Sequence, residues 1–210
     1  MDSPVNKLKG TLSGLIVIVA GVLLALAADA AWAERGDRIR EQELLADLLS
    51  EFRENEEILI SDLRANERAG EAGAVWSDAM FNKTSIPADS LQALLMILHD
   101  GARFDPLTGA IRSLVDGGEL QVVRSDELRR TLAGWSDRAK EARLTSQSLD
   151  VLLAGLYPVF LSLDPGDPMA PGERFAVQYA AESFGSNVQL YELLGEIRRI
   201  IEMIENEATR

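Results

Sequence analysis

The chain has 210 residues, 47% apolar and 26% charged, so it can bury one ordinary core beside a membrane anchor. Its formal charge is −13, from 34 acidic and 21 basic residues, and this argues against nucleic acid as a partner because phosphate backbones are bound through Lys and Arg. Cysteine is absent, which excludes disulfides, thiolate nucleophiles and cysteine-ligated metal sites.

The first predicted element is a transmembrane helix over residues 11–33, after a short tail of residues 1–10. Residues 15–28 contain no polar side chain, and the weakly polar run of residues 11–33 is broken only by Asp29. About 20 apolar residues are enough to cross the hydrocarbon core of a bilayer. Trp32 stands before a strongly charged segment, which is typical of an aromatic residue at the membrane interface. The sequence therefore predicts a single-pass anchor in a lipid bilayer.

A cleaved signal peptide is the alternative interpretation of the same segment. Lys7 and Lys9 would be its basic flank, residues 15–28 its apolar core, and the Ala-Trp-Ala before Glu34 its cleavage site. Both interpretations place the rest of the chain outside the cytoplasm. We favour the anchor, and so predict a protein of the bacterial cytoplasmic membrane whose domain faces the periplasm or exterior.

Small residues recur along one face of the predicted span. Such a stripe lets a second helix approach closely in lipid, where hydrophobicity alone does not drive helices together. The competing interpretation is that Gly and Ala are common in membrane-spanning helices. We predict a site of packing against other membrane proteins, and its residues are Gly14, Gly21, Ala25 and Ala28.

Residues 34–69 are predicted to form one long stalk helix. Apolar residues recur every three or four positions and charges fill the other faces. About 30 helical residues extend ~45 Å. A Gly- and Ala-rich break is expected at residues 68–74, and the charged run at residues 53–57 is interpreted as a solvated helix face.

Residues 70–210 are predicted to form a helical bundle. No segment shows the alternation of a half-buried strand, so the predicted fold class is all-α. The first expected helix is capped by Asp89 or Ser90 and extends through Ala102, and the second is capped by Asp105, has Pro106 at its first position and stops at Gly117-Gly118. A third helix is opened by Ser125 and extends to about Leu163, with a kink or early end at Pro158. A proline-rich loop over residues 164–172 then leads to two helices over residues 173–184 and 187–207.

Two blocks of sequence together resemble a broad family of bacterial single-span proteins known as a domain of unknown function. In the first, Gly21 to Glu51, an apolar span exits through a Trp into an Arg- and Glu-rich helix. In the second, Phe104 to Trp135, a Gly-Gly pair precedes a capped helix that begins Glu-Leu-Arg. The resemblance implies an N-terminal anchor and a helical domain, and it transfers no catalytic residue.

Residues that could carry chemistry are few. The single histidine, His99, has Met96 three positions earlier, where a di-iron helical bundle would need a Glu. No glycine-rich phosphate-binding motif is present. We therefore predict a protein that is not an enzyme and has no cofactor, catalytic or metal site.

Two functions fit these observations. The first is a non-catalytic accessory or structural subunit that uses its span and stalk to brace a larger membrane assembly, such as a bioenergetic or photosynthetic complex. The alternative is an extracytoplasmic helical module that binds or senses a ligand.

Overall fold

The computed structural model describes the backbone of residues 4–82, 84–99, 104–162 and 172–209, and within these ranges the side chains mainly of residues 17–79, 84–98, 104–148 and 187–209. Most of the described residues are helical and none of them lies in a strand, so the all-α prediction is confirmed. The helices are α1 (Pro4–Phe81), α2 (Ala88–His99), α3 (Gly109–Asp116), α4 (Asp126–Ser162) and α5 (Gly172–Ala208), with one 3-10 turn at Glu119–Val122.

The chain divides into two compact units, Met1–Leu44 and Leu45–Arg210. The division falls inside the segment predicted to be a stalk. From Leu45 onward α1 contributes one face to the core of the second unit, because Phe52 and Leu59 are fully buried there. Only the part of the predicted stalk that precedes Leu45 lies in the first unit.

The predicted break at residues 68–74 is wrong, because α1 continues through it to Phe81. Ala69, Ala72 and Trp76 lie on one face of the helix and are buried. A glycine inside a helix costs only about 1 kcal/mol relative to alanine. Burial of this face offsets that cost, so the small residues here serve packing and do not end the helix.

The core of the second unit is built from the apolar faces of α1, α4 and α5. The rings of Phe52 and Trp135 are 4.9 Å apart between centroids and tilted by 59°, which joins α1 to α4. Most described apolar residues that recur at helical spacing in these helices are buried, while Ile39 and Val188 are exposed. The fully buried side chains include Leu45, Leu48, Leu59, Leu128, Leu132 and Ile197.

Two ion pairs show how α1 and α5 run relative to each other in this unit. From α1 to α5, Arg53 pairs with Glu205 at 2.7 Å and Glu56 with Arg198 at 2.6 Å. The partners occur in reverse order along the two helices, so α1 and α5 are antiparallel. These pairs are partly exposed and each contributes little to stability.

α3 begins at Gly109, so the predicted helix starting at Asp105 and Pro106 is wrong. The carboxylate of Asp105 is 2.5 Å from the guanidinium of Arg143 on α4 and caps nothing. The predicted glycine stop is confirmed, because Gly118 has φ 69°, a left-handed conformation that glycine adopts without the penalty of a Cβ.

Ser125 opens α4 as predicted, and its Oγ accepts a hydrogen bond from the backbone N–H of Leu128 at 3.2 Å. α2 (Ala88–His99) already includes Asp89 and Ser90, so the prediction that one of them caps it is wrong. The predicted extension to Ala102 lies outside the described residues. α4 continues past Pro158 to Ser162, so the proline does not end it early.

α5 is continuous across residues 184–187, where two helices were expected. Residues 164–171 of the predicted proline-rich loop lie outside the described residues. The side chain of His99 also lies outside them.

Candidate functional site

The apolar segment of the first unit is exposed along its whole described length. Every described side chain from Val17 to Arg40 is exposed, including Leu24 at 72% and Trp32 at 80%. Within the described chain, one helix is long and apolar enough to span a bilayer, and its apolar window is entirely unburied. An exposed apolar surface of this extent is typical of a surface that contacts lipid or another protein.

The predicted packing residues share one face of α1. At 3.6 residues per turn, Gly21, Ala25 and Ala28 fall within an arc of about 60°, and all three are exposed. Trp32 falls within the same arc, a relation that the spacing of the small residues alone did not reveal. Gly14 belongs to the same helix, but its surroundings lie outside the described side chains.

Added volume at this face meets nothing within the chain. A Cβ built on Gly21 has no heavy atom within 4 Å. Ala30 lies half a turn away from Gly21, on the opposite face of the helix, and is exposed as well. The two faces can therefore be compared by substitutions that leave the rest of the described chain untouched.

A second constellation lies in the second unit, where α1 holds the segment before α3. The side chain of Asn55 is fully buried. Its Nδ2 donates to the carbonyl of Leu107 at 2.9 Å, and its Oδ1 accepts from the N–H of the same residue at 2.7 Å. The interpretation of residues 53–57 as a solvated face is therefore wrong for Asn55, which is a structural clamp.

Glu51 lies one turn before Asn55 and caps α3 from outside that helix. Its carboxylate accepts from the backbone N–H of Ala110 at 2.6 Å and of Ile111 at 3.2 Å. The residue at the usual capping position, Thr108, makes no side-chain cap bond. A negative charge is favourable at a helix N-terminus because the helix dipole is positive there.

The position of Asn55 in the sequence carries a signal of its burial. Asn55 lies three positions after Phe52 and four before Leu59, so it is a polar residue on an apolar stripe. Its partner is 52 positions away in sequence. The spacing could have identified Asn55 as buried, but not the group that it binds.

Two titratable groups of the second unit have a pKa above the ordinary value. Burial raises the pKa of Asp62, whose Oδ2 is enclosed without a hydrogen-bond partner in the described part of the chain. The pKa of Tyr191 is also raised, mainly because its hydroxyl donates a hydrogen bond to the Glu67 carboxylate. Burial and the negative charge of Glu67 act in the same direction. Among the described residues, no three His, Cys, Asp or Glu side chains are grouped closely enough to hold a metal ion.

No protein-family model, curated protein or solved structure matches this chain. The resemblance to single-span bacterial proteins of unknown function therefore stays a prediction.

Proposed function

We propose that this protein is a membrane-anchored, non-catalytic accessory or structural subunit that braces a larger membrane assembly. The observation that carries the proposal is the unburied apolar helix of the first unit, which has no covering partner in the described chain. Lipid covers such a helix, and other membrane proteins pack against its small-residue face. A bioenergetic or photosynthetic complex is the setting that we propose for it.

We place the second unit on the outer face of a bacterial cytoplasmic membrane. Lys7 and Lys9 precede the span, while Arg35, Arg38 and Arg40 follow it. The count of basic residues on the two flanks is thus nearly even and does not fix the orientation. The similarity of residues 1–33 to a secretory signal favours the outer location. Protease added to intact spheroplasts should digest the second unit, and protection until lysis would reverse the topology.

Contact through the small-residue face is tested by two matched substitutions. Ala25→Leu adds volume on the face of Gly21, and Ala30→Leu adds the same volume on the opposite face. Both positions are exposed, so neither change disturbs the described chain. Because close approach of helices depends on small residues, Ala25→Leu should reduce recovery of co-purifying membrane proteins in mild detergent, and Ala30→Leu should not.

The experiment compares the co-purified proteins of wild type and both variants at equal recovery of the tagged chain. Equal recovery of partners for all three chains would refute packing through the small-residue face. The intact mass of the recovered chain shows, in the same sample, whether residues 1–33 are retained. A chain that begins at Glu34 would refute the anchor.

A further inference from the structure

A groove of about 420 Å³ lies between the segment around α3 and one face of α4. Its volume is within the range of small-molecule sites, roughly 300–1,000 Å³. Residues from both sides line it, and in α4 they recur at helical spacing. We call it the basic groove, and its polar and charged lining residues are Thr108, Arg112, Ser136, Lys140 and Arg143.

Two cations of the basic groove, Arg112 and Lys140, lack a carboxylate partner in the described ranges and line the same cavity. In the described ranges, arginines such as Arg53, Arg198 and Arg199 are paired with carboxylates. Among the described residues neither Arg112 nor Lys140 pairs with a carboxylate, and the Nη2 of Arg112 donates to Thr108 Oγ1 at 3.2 Å. Two uncompensated positive charges therefore face one groove in a chain of net charge −13.

The third cation, Arg143, is already neutralised by Asp105. The net charge of the lining cations and this partner is thus about +2. A phosphomonoester carries about −1.5 to −2 at neutral pH, so its charge matches that of the groove. A guanidinium recognises phosphate oxygens through paired N–H groups, and a lysine ammonium adds a point charge.

The remaining lining groups suit the rest of such a ligand. Thr108 Oγ1 accepts from Arg112, which leaves its own hydrogen available for a phosphate oxygen, and the hydroxyl of Ser136 is exposed in the same groove. Apolar surface lies beside the cations, from Pro106, Ala139 and Leu144. This combination of anion-binding and apolar groups fits a phosphate attached to an apolar body.

We propose that the basic groove binds a phosphomonoester, with Arg112 and Lys140 holding the phosphate. This site goes beyond the proposed bracing function and does not depend on it. A soluble phosphorylated metabolite and the headgroup of phosphatidic acid offer the same chemistry, so the experiment needs an arm for each source.

In the first arm, phenyl phosphate is titrated into the full chain in discs of pure phosphatidylcholine, and heat is measured. The site variant is Arg112→Gln/Lys140→Gln. The matched control is Arg64→Gln/Arg130→Gln, because both arginines are exposed, neither has an ion-pair partner in the described ranges, and the net charge changes equally. Loss of two charge-assisted contacts should weaken binding by at least about tenfold in the site variant and leave the control unchanged.

In the second arm, the thermal unfolding midpoint is compared between discs of phosphatidylcholine and discs in which a tenth of the lipid is phosphatidic acid. A rise in the midpoint that the site variant loses and the control keeps identifies the lipid as the source. Circular dichroism of both variants in phosphatidylcholine verifies that they fold. No saturable response in either arm, or an equal loss in the site variant and the control, would overturn the proposal.

Discussion

Asn55→Ala should destabilise the second unit more than the loss of a polar side chain normally does. The substitution removes both hydrogen bonds to Leu107 and leaves its N–H and C=O without their partner. Each unsatisfied buried polar group costs about 1–3 kcal/mol. Because the two bonds are only partly buried, we expect the low end of the sum, about 2–4 kcal/mol. For a unit of this size that corresponds to a fall of roughly 4–16 °C in the unfolding midpoint.

The assay is urea unfolding of the full chain in detergent, followed by far-ultraviolet circular dichroism. The matched control is Asn82→Ala, which removes an exposed hydrogen bond of 2.9 Å to Asp78 and should cost no more than about 0.5 kcal/mol. For Asn55→Ala the urea concentration at the midpoint of unfolding should fall, while the dependence of the unfolding free energy on urea concentration should stay the same. A loss no larger than that of the control would refute the clamp, since the segment before α3 would then be held by other contacts.

Two further predictions concern carboxylates. Glu51→Gln keeps the shape of the side chain that caps α3 but removes its charge, so unfolding in urea should show a loss of about 0.5–1.5 kcal/mol, whereas full stability would mean that the charge is irrelevant to the cap. Asp62→Asn should stabilise the fold at neutral pH, because the raised pKa of Asp62 means that the folded state favours the protonated, neutral carboxyl. The stability that the neutral carboxyl contributes is present below the ordinary pKa near 3.8 and is lost as the pH rises through the folded-state pKa. Thermal unfolding of wild type and variant across pH should show a gap that closes in acid, and a gap independent of pH would contradict the cause given.

Apolar spacing was enough to predict the core. Leu45, Phe52 and Leu59 follow the helical period of residues 34–69 and are buried, and Phe52 packs against the buried ring of Trp135. Local capping rules also worked where the cap is local, as at Ser125. These predictions succeeded because the groups that determine each feature are close together in sequence.

The start of α3 could not be predicted for the opposite reason. Asp105 and Pro106 form a good local start signal, but Glu51, 59 positions from Ala110, supplies the cap. A pattern that considers only neighbours cannot identify a cap from another helix. The same limit applies to residues 68–74, where burial of Ala69 and Ala72 decides that α1 continues.

The basic groove was equally hidden, because its cations come from α3 and α4 and are separated by 28 positions in sequence between Arg112 and Lys140. The overall charge of −13 argues against phosphate-rich partners such as nucleic acid. That conclusion holds for a surface with evenly mixed charges. It fails locally where a groove collects cations without their counter-ions.

Glu51 and Asn55 connect the core of the second unit to this groove. They lie one turn apart on α1 and hold two successive parts of one segment, the backbone at Leu107 and the first turn of α3. Thr108 lies between these two points, and Arg112 follows one turn later and bonds back to it. The hydrogen bonds of Asn55 and Glu51, both on α1, therefore determine where Thr108 and Arg112 lie. Apolar packing tolerates small shifts along a helix, whereas paired hydrogen bonds to a single backbone residue permit one register only. The same two residues that the apolar pattern leaves unexplained thus give the groove its fixed arrangement of charge.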